Sequence, residues 1–177
     1  SAIDHMAALL EAVRTELQPA LAGRITAMPV VPPGAARATL NVNALDGGQR
    51  VDGIQTPCVA DRCRAVFDRR FLIEEGFSAV RAEVRALLEG MGARLPGFRY
   101  DLRDLMVVHP TQAPADSLLV ESLERNVAAV LGRAATLVAS PGTYDQKHVA
   151  RIAGVEHCVA YGPGILELAH QPDEWCA

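Results

Sequence analysis

Three stretches of the chain carry apolar residues at spacings of three and four, and the segments between them alternate with period two. This succession confines the chain to an α+β fold. The first stripe is Ile3, Met6, Leu10, Val13 and Leu17, which predicts a helix over 2–17. Ser1 followed by Asp4 resembles an N-terminal cap, and Pro19 is expected to stop the helix. The second stripe, Phe77, Val80, Val84, Leu87, Leu88 and Met91, predicts a helix over 77–91 between Gly76 and Gly92. The third, Leu119, Val120, Leu123, Val127, Val130 and Leu131, predicts one over 117–131.

Residues 39–45 alternate, with Leu40, Val42 and Ala44 on one face and Asn41 and Asn43 on the other. Residues 59–67 alternate as well, setting Val59, Cys63, Ala65 and Phe67 against Arg62 and Arg64. Further strands are expected near 98–102, extending towards Val108, and in the short apolar runs 135–139 and 158–161, the last two buried on both faces. The order helix, strand, strand, helix, strand is that of a βαββαβ unit without its first strand, so more chain is expected upstream. The style changes after His109-Pro110, and HPTQAPAD marks a boundary between domains 1–109 and 110–177. The run PVVPPG at 29–34 reads as a stiff exposed loop.

Half of the 177 residues are apolar, enough for one full domain and part of another. Net charge is −4 with no basic patch, which argues against nucleic acid as a partner. No run approaches the roughly 20 apolar residues of a membrane span. The opening SAIDHMAALLEAV contains acids and lacks the basic start of a signal peptide. Cys58, Cys63, Cys158 and Cys176 form no CxxC pair and read as reduced, mostly buried thiols of a cytoplasmic protein.

Three clusters could carry chemistry. In AYGPGILELAHQPDEWC a strand ending at Tyr161 enters the Gly162-Pro163-Gly164 turn, and His170 follows with Asp173 and Glu174 close behind. A loop histidine with a carboxylate four residues on suits a metal ligand whose surroundings the carboxylate orients. It equally suits an exposed loop. In SPGTYDQKH, Thr143, Asp145, Lys147 and His148 gather at a helix start, where backbone N–H groups and a lysine can hold a carboxylate. An ordinary loop capped by Thr143 or Asp145 has the same pattern. In DRRFLIEE, Arg69 and Arg70 close a strand. Arginine suits two-point carboxylate binding, but adjacent strand residues face opposite ways, so only one can enter a site. Otherwise both pair locally with Asp68, Glu74 or Glu75.

Taken in order, the phrases TLNVNALDGG, TPCVADRC, AVFDRRF, PGTYDQKH and GPGILELAHQPDE resemble one known family. It is the zinc-dependent metallopeptidase and deacylase family of acetylornithine deacetylase, succinyl-diaminopimelate desuccinylase, aminoacylase and the glutamate carboxypeptidases. TYDQKH and AHQPDE are closest to the deacetylase and desuccinylase branch. The resemblance implies a ferredoxin-like lid, an antiparallel sheet with two helices, followed by an α/β segment of a catalytic domain. It implies a homodimer formed through the lid, two zinc ions per active site in the whole enzyme and a small N-acyl amino acid as substrate. His170 matches the late metal ligand and Glu174 the glutamate after it. Thr143 and Asp145 match a loop lining the substrate site, with Gly162 and Gly164 nearby. Arg70 matches the lid arginine that meets the substrate carboxylate, and Phe71 and Glu74 keep the neighbouring pattern. Lys147 stands where several relatives have arginine.

Some of the family pattern is missing. Pro57 replaces a lid asparagine, for which Asn43 or Gln55 could substitute. The family's H-x-D strand end, early acidic pair and lid-loop histidine are expected upstream of Ser1, and His5, His109 and His157 do not fill the gap. The chain alone is therefore expected to be inactive and without catalytic zinc, and to expose apolar surface after Pro110. The other reading is a non-enzymatic ferredoxin-like module that dimerises or binds a small ligand; the GPG…AHQPDE tail speaks for the enzyme.

Overall fold

A computed structural model describes residues 1–48, 58–114, 116–165 and 168–176. Gln55 and Pro57, on which part of the lid comparison turns, lie outside the described residues, as do positions 166 and 167 of the GPGILELAHQPDE stretch. The chain forms two compact units, one of residues 1–25 and 37–105, the other of residues 26–36 and 106–177.

The first unit begins with helix α1, Ala2–Ala12, whose Ser1 and Asp4 close a reciprocal cap. Pro19 does not stop it. The chain widens into a π-turn over Val13–Leu17 and continues as α2, Gln18–Ala22. Proline has no N–H to donate, and in a regular helix its ring would press on the carbonyl of residue 15. The wide turn, in which the Gln18 N–H reaches the Val13 carbonyl, relieves both conflicts. Continuing the helix buries Leu21, which is 1% exposed.

Strands β1, Thr39–Gly47, and β2, Cys63–Arg70, pair antiparallel. β2 starts later and runs further than the alternation predicts, and Val59 is exposed instead of facing inward. Leu40 pairs with Arg69 and Val42 with Phe67, but Ala44 then pairs with Val66. Asn43 is thus an extra residue, and beyond it every side chain changes face. Leu45, opposite Ala65, joins the side of Leu40 and Val42, whereas Ala44 leaves it. Gly47 is needed where the strands close, since a Cβ there would lie 2.7 Å from Cys63 Sγ.

Helix α3, Phe77–Arg94, passes through Gly90 and Gly92 and stops only at Leu95, before Pro96. Arg94 at its end binds Glu16 of the π-turn at 2.6 Å. The core joins Leu9, Ala12, Val13, Leu17 and Leu21 of the first helical run to Ala38, Leu40, Leu88 and Met91. Phe98 and Leu102 pack against this core from irregular backbone, so the strand expected at 98–102 is not formed.

The second unit contains α4, Leu118–Leu131, and α5, Gln146–Ala153, each ending on a left-handed glycine, Gly132 and Gly154. Ser117 precedes α4, fully buried, with its hydroxyl unpartnered. Of the run 135–139 only Ala139 pairs, in a single parallel bridge to Val30, and 158–161 is not a strand. The PVVPPG run is therefore not a free loop: Ala139 N–H donates to the Pro29 carbonyl and Val31 N–H to the Ala139 carbonyl. Leu118, Val130 and Ile152 stand exposed, as expected of apolar surface after Pro110. None of the four cysteines is in a disulfide, but Cys58 and Cys176 are exposed and Cys63 and Cys158 half-buried, so the thiols are not mostly buried.

Replacing Leu21 by Ala is expected to cost about 3 kcal/mol of the first unit's stability. Val130→Thr, at an exposed site, should change stability by less than about 0.5 kcal/mol. Urea denaturation of both variants checks the contrast.

Candidate substrate-binding site

The register of β1 and β2 separates the two adjacent arginines. Cross-strand neighbours share a face. Arg69, opposite the buried Leu40, turns inward, and Arg70, opposite Thr39, turns outward. The side chain of Arg69 is 9% exposed and binds Glu75 at 2.6 Å, with Glu83 of α3 at 3.6 Å. Arg24, just after α2, binds Glu75 at 2.8 Å and pairs with Glu83 as well. The second oxygen of Glu75 accepts the Leu72 N–H at 2.8 Å. Two arginines and two glutamates thus tie the end of β2, the turn after it and α3 together. Arg70 is 60% exposed and, among the described residues, its one ion pair is with Asp68, at 3.3 Å. Local pairing therefore describes Arg69 with Glu75 and Arg70 with Asp68, and the accessible guanidinium is that of Arg70.

Electrostatics follow from this geometry. Burial alone pushes the Glu75 carboxyl up, but hydrogen bonds from Arg69, the Leu72 N–H and Arg24 outweigh it and hold the group below its ordinary value. Hydrogen bonds from Arg24 to Glu83 and then to Glu75 raise the Arg24 pKa far above its usual value.

The SPGTYDQKH cluster belongs to the second unit. Asp145 stands at the N-cap of α5, yet its side chain makes no capping bond, and Thr143 makes none either. Thr143 and Asp145 are exposed, whereas the half-buried Lys147 returns its ammonium to the Tyr144 carbonyl at 3.1 Å. The Tyr144 hydroxyl meets Ser140 Oγ at 2.9 Å, and the ring crosses Gly142 so closely that a Cβ there would lie 2.9 Å from it. Gly142 leaves room for this fold-back, and a side chain there would push the Tyr144 ring aside.

Gly164 has φ of 105°, a conformation that glycine adopts without strain, and nothing lies near a Cβ built at it or at Gly162. His170 also has a positive φ, 64°. Its exposed position is fixed through its backbone, since the His170 N–H donates to Glu174 Oε2 at 2.9 Å. Glu174 thus holds the main chain of the histidine and not its ring. The structure joins Thr143 and Asp145 of one loop to Lys147 in the first turn of α5, and His170 to Glu174, while Arg70 belongs to the other unit. Among the described residues no three His, Cys, Asp or Glu side chains are placed to hold a metal ion. Zinc needs several such ligands and His170 offers one, so the described residues do not fit a zinc centre by themselves.

Arg24, Glu83 and the Ser140–Tyr144 pair escaped the sequence reading. The doubled arginine was the signal for the first two. One of the pair had to face inward, and an inward arginine needs buried carboxylates. No helix among the described residues is long and apolar enough to cross a membrane.

The model of the peptidase dimerisation domain of the M20 peptidases matches residues 1–94. That is more than half of the 177 residues, and the chain belongs to this family. No curated protein matches the chain. Family and fold agree: mixed helix and strand, with an antiparallel pair of strands beside helices.

The depressed Glu75 stabilises the fold above its ordinary pKa of 4.5, and this contribution is lost as pH falls through the lower folded value. The urea midpoint of the wild type should therefore fall as the pH drops below 4.5. Glu75→Gln should flatten that slope; an unchanged slope would mean that Glu75 is not the group responsible.

Proposed function

We propose that this chain is the lid, over 1–109, and a catalytic-domain segment, over 110–177, of a metal-dependent amidohydrolase that cleaves small N-acyl amino acids. Membership of the peptidase dimerisation family carries the hydrolase assignment. The finer reading rests on Arg70, an accessible guanidinium at the end of β2 whose ion pair among the described residues is a single, long contact to Asp68. A half-exposed pair of this kind contributes about 0–1 kcal/mol, so a ligand carboxylate displaces Asp68 at little cost. Arg70 would then bind that carboxylate through two parallel hydrogen bonds.

In the second unit, taken by itself, Thr143 and Asp145 would offer a hydroxyl and a carboxylate to the polar part of a substrate, and Lys147 a point charge. Gly162 and Gly164 keep their turn free of side-chain bulk. His170 would be one metal ligand, placed by the hold of Glu174 on its backbone. In the whole enzyme two zinc ions per site would supply the chemistry of a water of lowered pKa and a polarised carbonyl. That chemistry lies beyond what the described residues do by themselves. The acetylornithine deacetylase and succinyl-diaminopimelate desuccinylase types are the substrate classes favoured, by TYDQKH and AHQPDE. A homodimer through the lid and a cytoplasmic site of action complete the reading.

The test is release of free amine from N-acetylornithine and N-succinyl-diaminopimelate by the zinc-loaded enzyme that carries this chain. Arg70→Ala should raise KM about ten-fold or more for the cleaved substrate, with a smaller effect on kcat. An enzyme that cleaves neither compound nor any other N-acyl amino acid overturns the proposal.

A further inference from the structure

We infer that Arg69, which faces away from the proposed ligand, is a positioning residue that sets the direction of Arg70. The inference rests on the reading of Arg70 as the carboxylate-binding arginine. Its basis is a set of hydrogen bonds around three residues of backbone. One Nη of Arg69 donates to the carbonyl of Arg70 itself at 2.5 Å. The other donates to Glu75 Oε1 at 2.6 Å. Glu75 Oε2 then accepts the Leu72 N–H at 2.8 Å. The main chain on both sides of Phe71 therefore hangs on one buried ion pair. Phe71 itself is tied down by ring contact with Phe77 at the start of α3, with centroids 6.4 Å apart.

The anchoring extends outward. Arg24 holds Glu75 and also Glu83, so the carboxylate that Arg69 grips is tied through Arg24 to α3. Arg70 shares none of this. Its guanidinium leaves the opposite face of the strand, and its orientation is inherited from the backbone that Arg69 pins. A rigid supporting layer beneath a mobile binding group reduces the ordering that a ligand must impose.

Stability alone does not account for an arginine here. Its Nε is buried without a partner, a standing cost that an apolar residue would avoid. What arginine supplies is a planar fork that reaches a carbonyl and a carboxylate at once. Lysine keeps the charge but is a single point donor.

The experiment is a two-by-two comparison in the zinc-loaded enzyme: wild type, Arg69→Lys, Arg70→Ala and the double variant, each assayed on the N-acyl amino acid that the enzyme cleaves. Arg69→Lys should raise KM about five-fold while kcat stays within about two-fold. In the Arg70→Ala background the same change should raise KM no further, because its effect passes through Arg70. The C-terminal amide of the substrate, which has no carboxylate for Arg70, should be indifferent to Arg69→Lys. Should Arg69→Lys fail to fold, Glu75→Gln takes its place and should show the same dependence on Arg70. A KM unchanged by Arg69→Lys, or raised equally in both backgrounds, overturns the inference and leaves the reading of Arg70 intact. A KM unchanged by Arg70→Ala overturns both.

Discussion

Arg69 and Glu75 meet at 2.6 Å where β2 ends, and a chain of further contacts depends on that meeting. The pair is nearly dry, so each charge must be satisfied from within the protein. Glu75 draws in Arg24 from beyond α2 and the Leu72 N–H from the turn, while Glu83 of α3 completes the charge balance. Elements far apart in the chain are thereby held to one corner of the first unit. The apolar core of Leu9, Val13, Leu17, Leu21, Leu40, Leu88 and Met91 supplies the main cohesion, since burial of this kind is the dominant favourable contribution to folding. The core is tolerant of direction, however. The ion network fixes the angle at which the strand hands over to the turn.

Much of this architecture was legible in the residues. The stripes placed all three long helices, and the adjacency of Arg69 and Arg70 implied that only one of the two could enter a site. The failures have local causes. Pro19 reads as a stop because the regular helix cannot carry it, and the chain answers with a wider turn instead. Gly92 reads as an end, yet Met91 and Arg94 both have partners that hold the helix past it. The faces of β1 could not be assigned beyond Val42, because one extra residue inverts the alternation and nothing in TLNVNALDGG marks which residue is extra. The apolar runs at 135–139 and 158–161 have the composition of buried strands, but a strand requires a neighbour, and among the described residues only Val30 pairs with either run.

The candidate site was legible as residue types and not as contacts. Lys147, named for its charge, spends its ammonium on the Tyr144 carbonyl. Glu174, expected to orient the imidazole of His170 or a group near it, holds the histidine backbone. Both are short-range hydrogen bonds that depend on loop dihedrals, and periodicity carries no information about those. Arg70 fares better because strand register alone decides its exposure. Membership of the peptidase dimerisation family places the first 94 residues in context, and the chemistry proposed for the chain is correspondingly on the side of holding a substrate rather than cutting it.

Asn43 has a consequence for how the hairpin tolerates change. An added residue in a strand normally shifts everything after it, but here the shift has already been absorbed at a fixed point between Val42 and Ala44. The Thr39 and Arg70 end keeps its frame, with Leu40 and Arg69 inward, whatever happens towards Gly47 and Cys63. The hairpin therefore behaves as two mutational compartments. Lengthening or trimming the distal half can vary its surface without disturbing the half that carries the paired arginines.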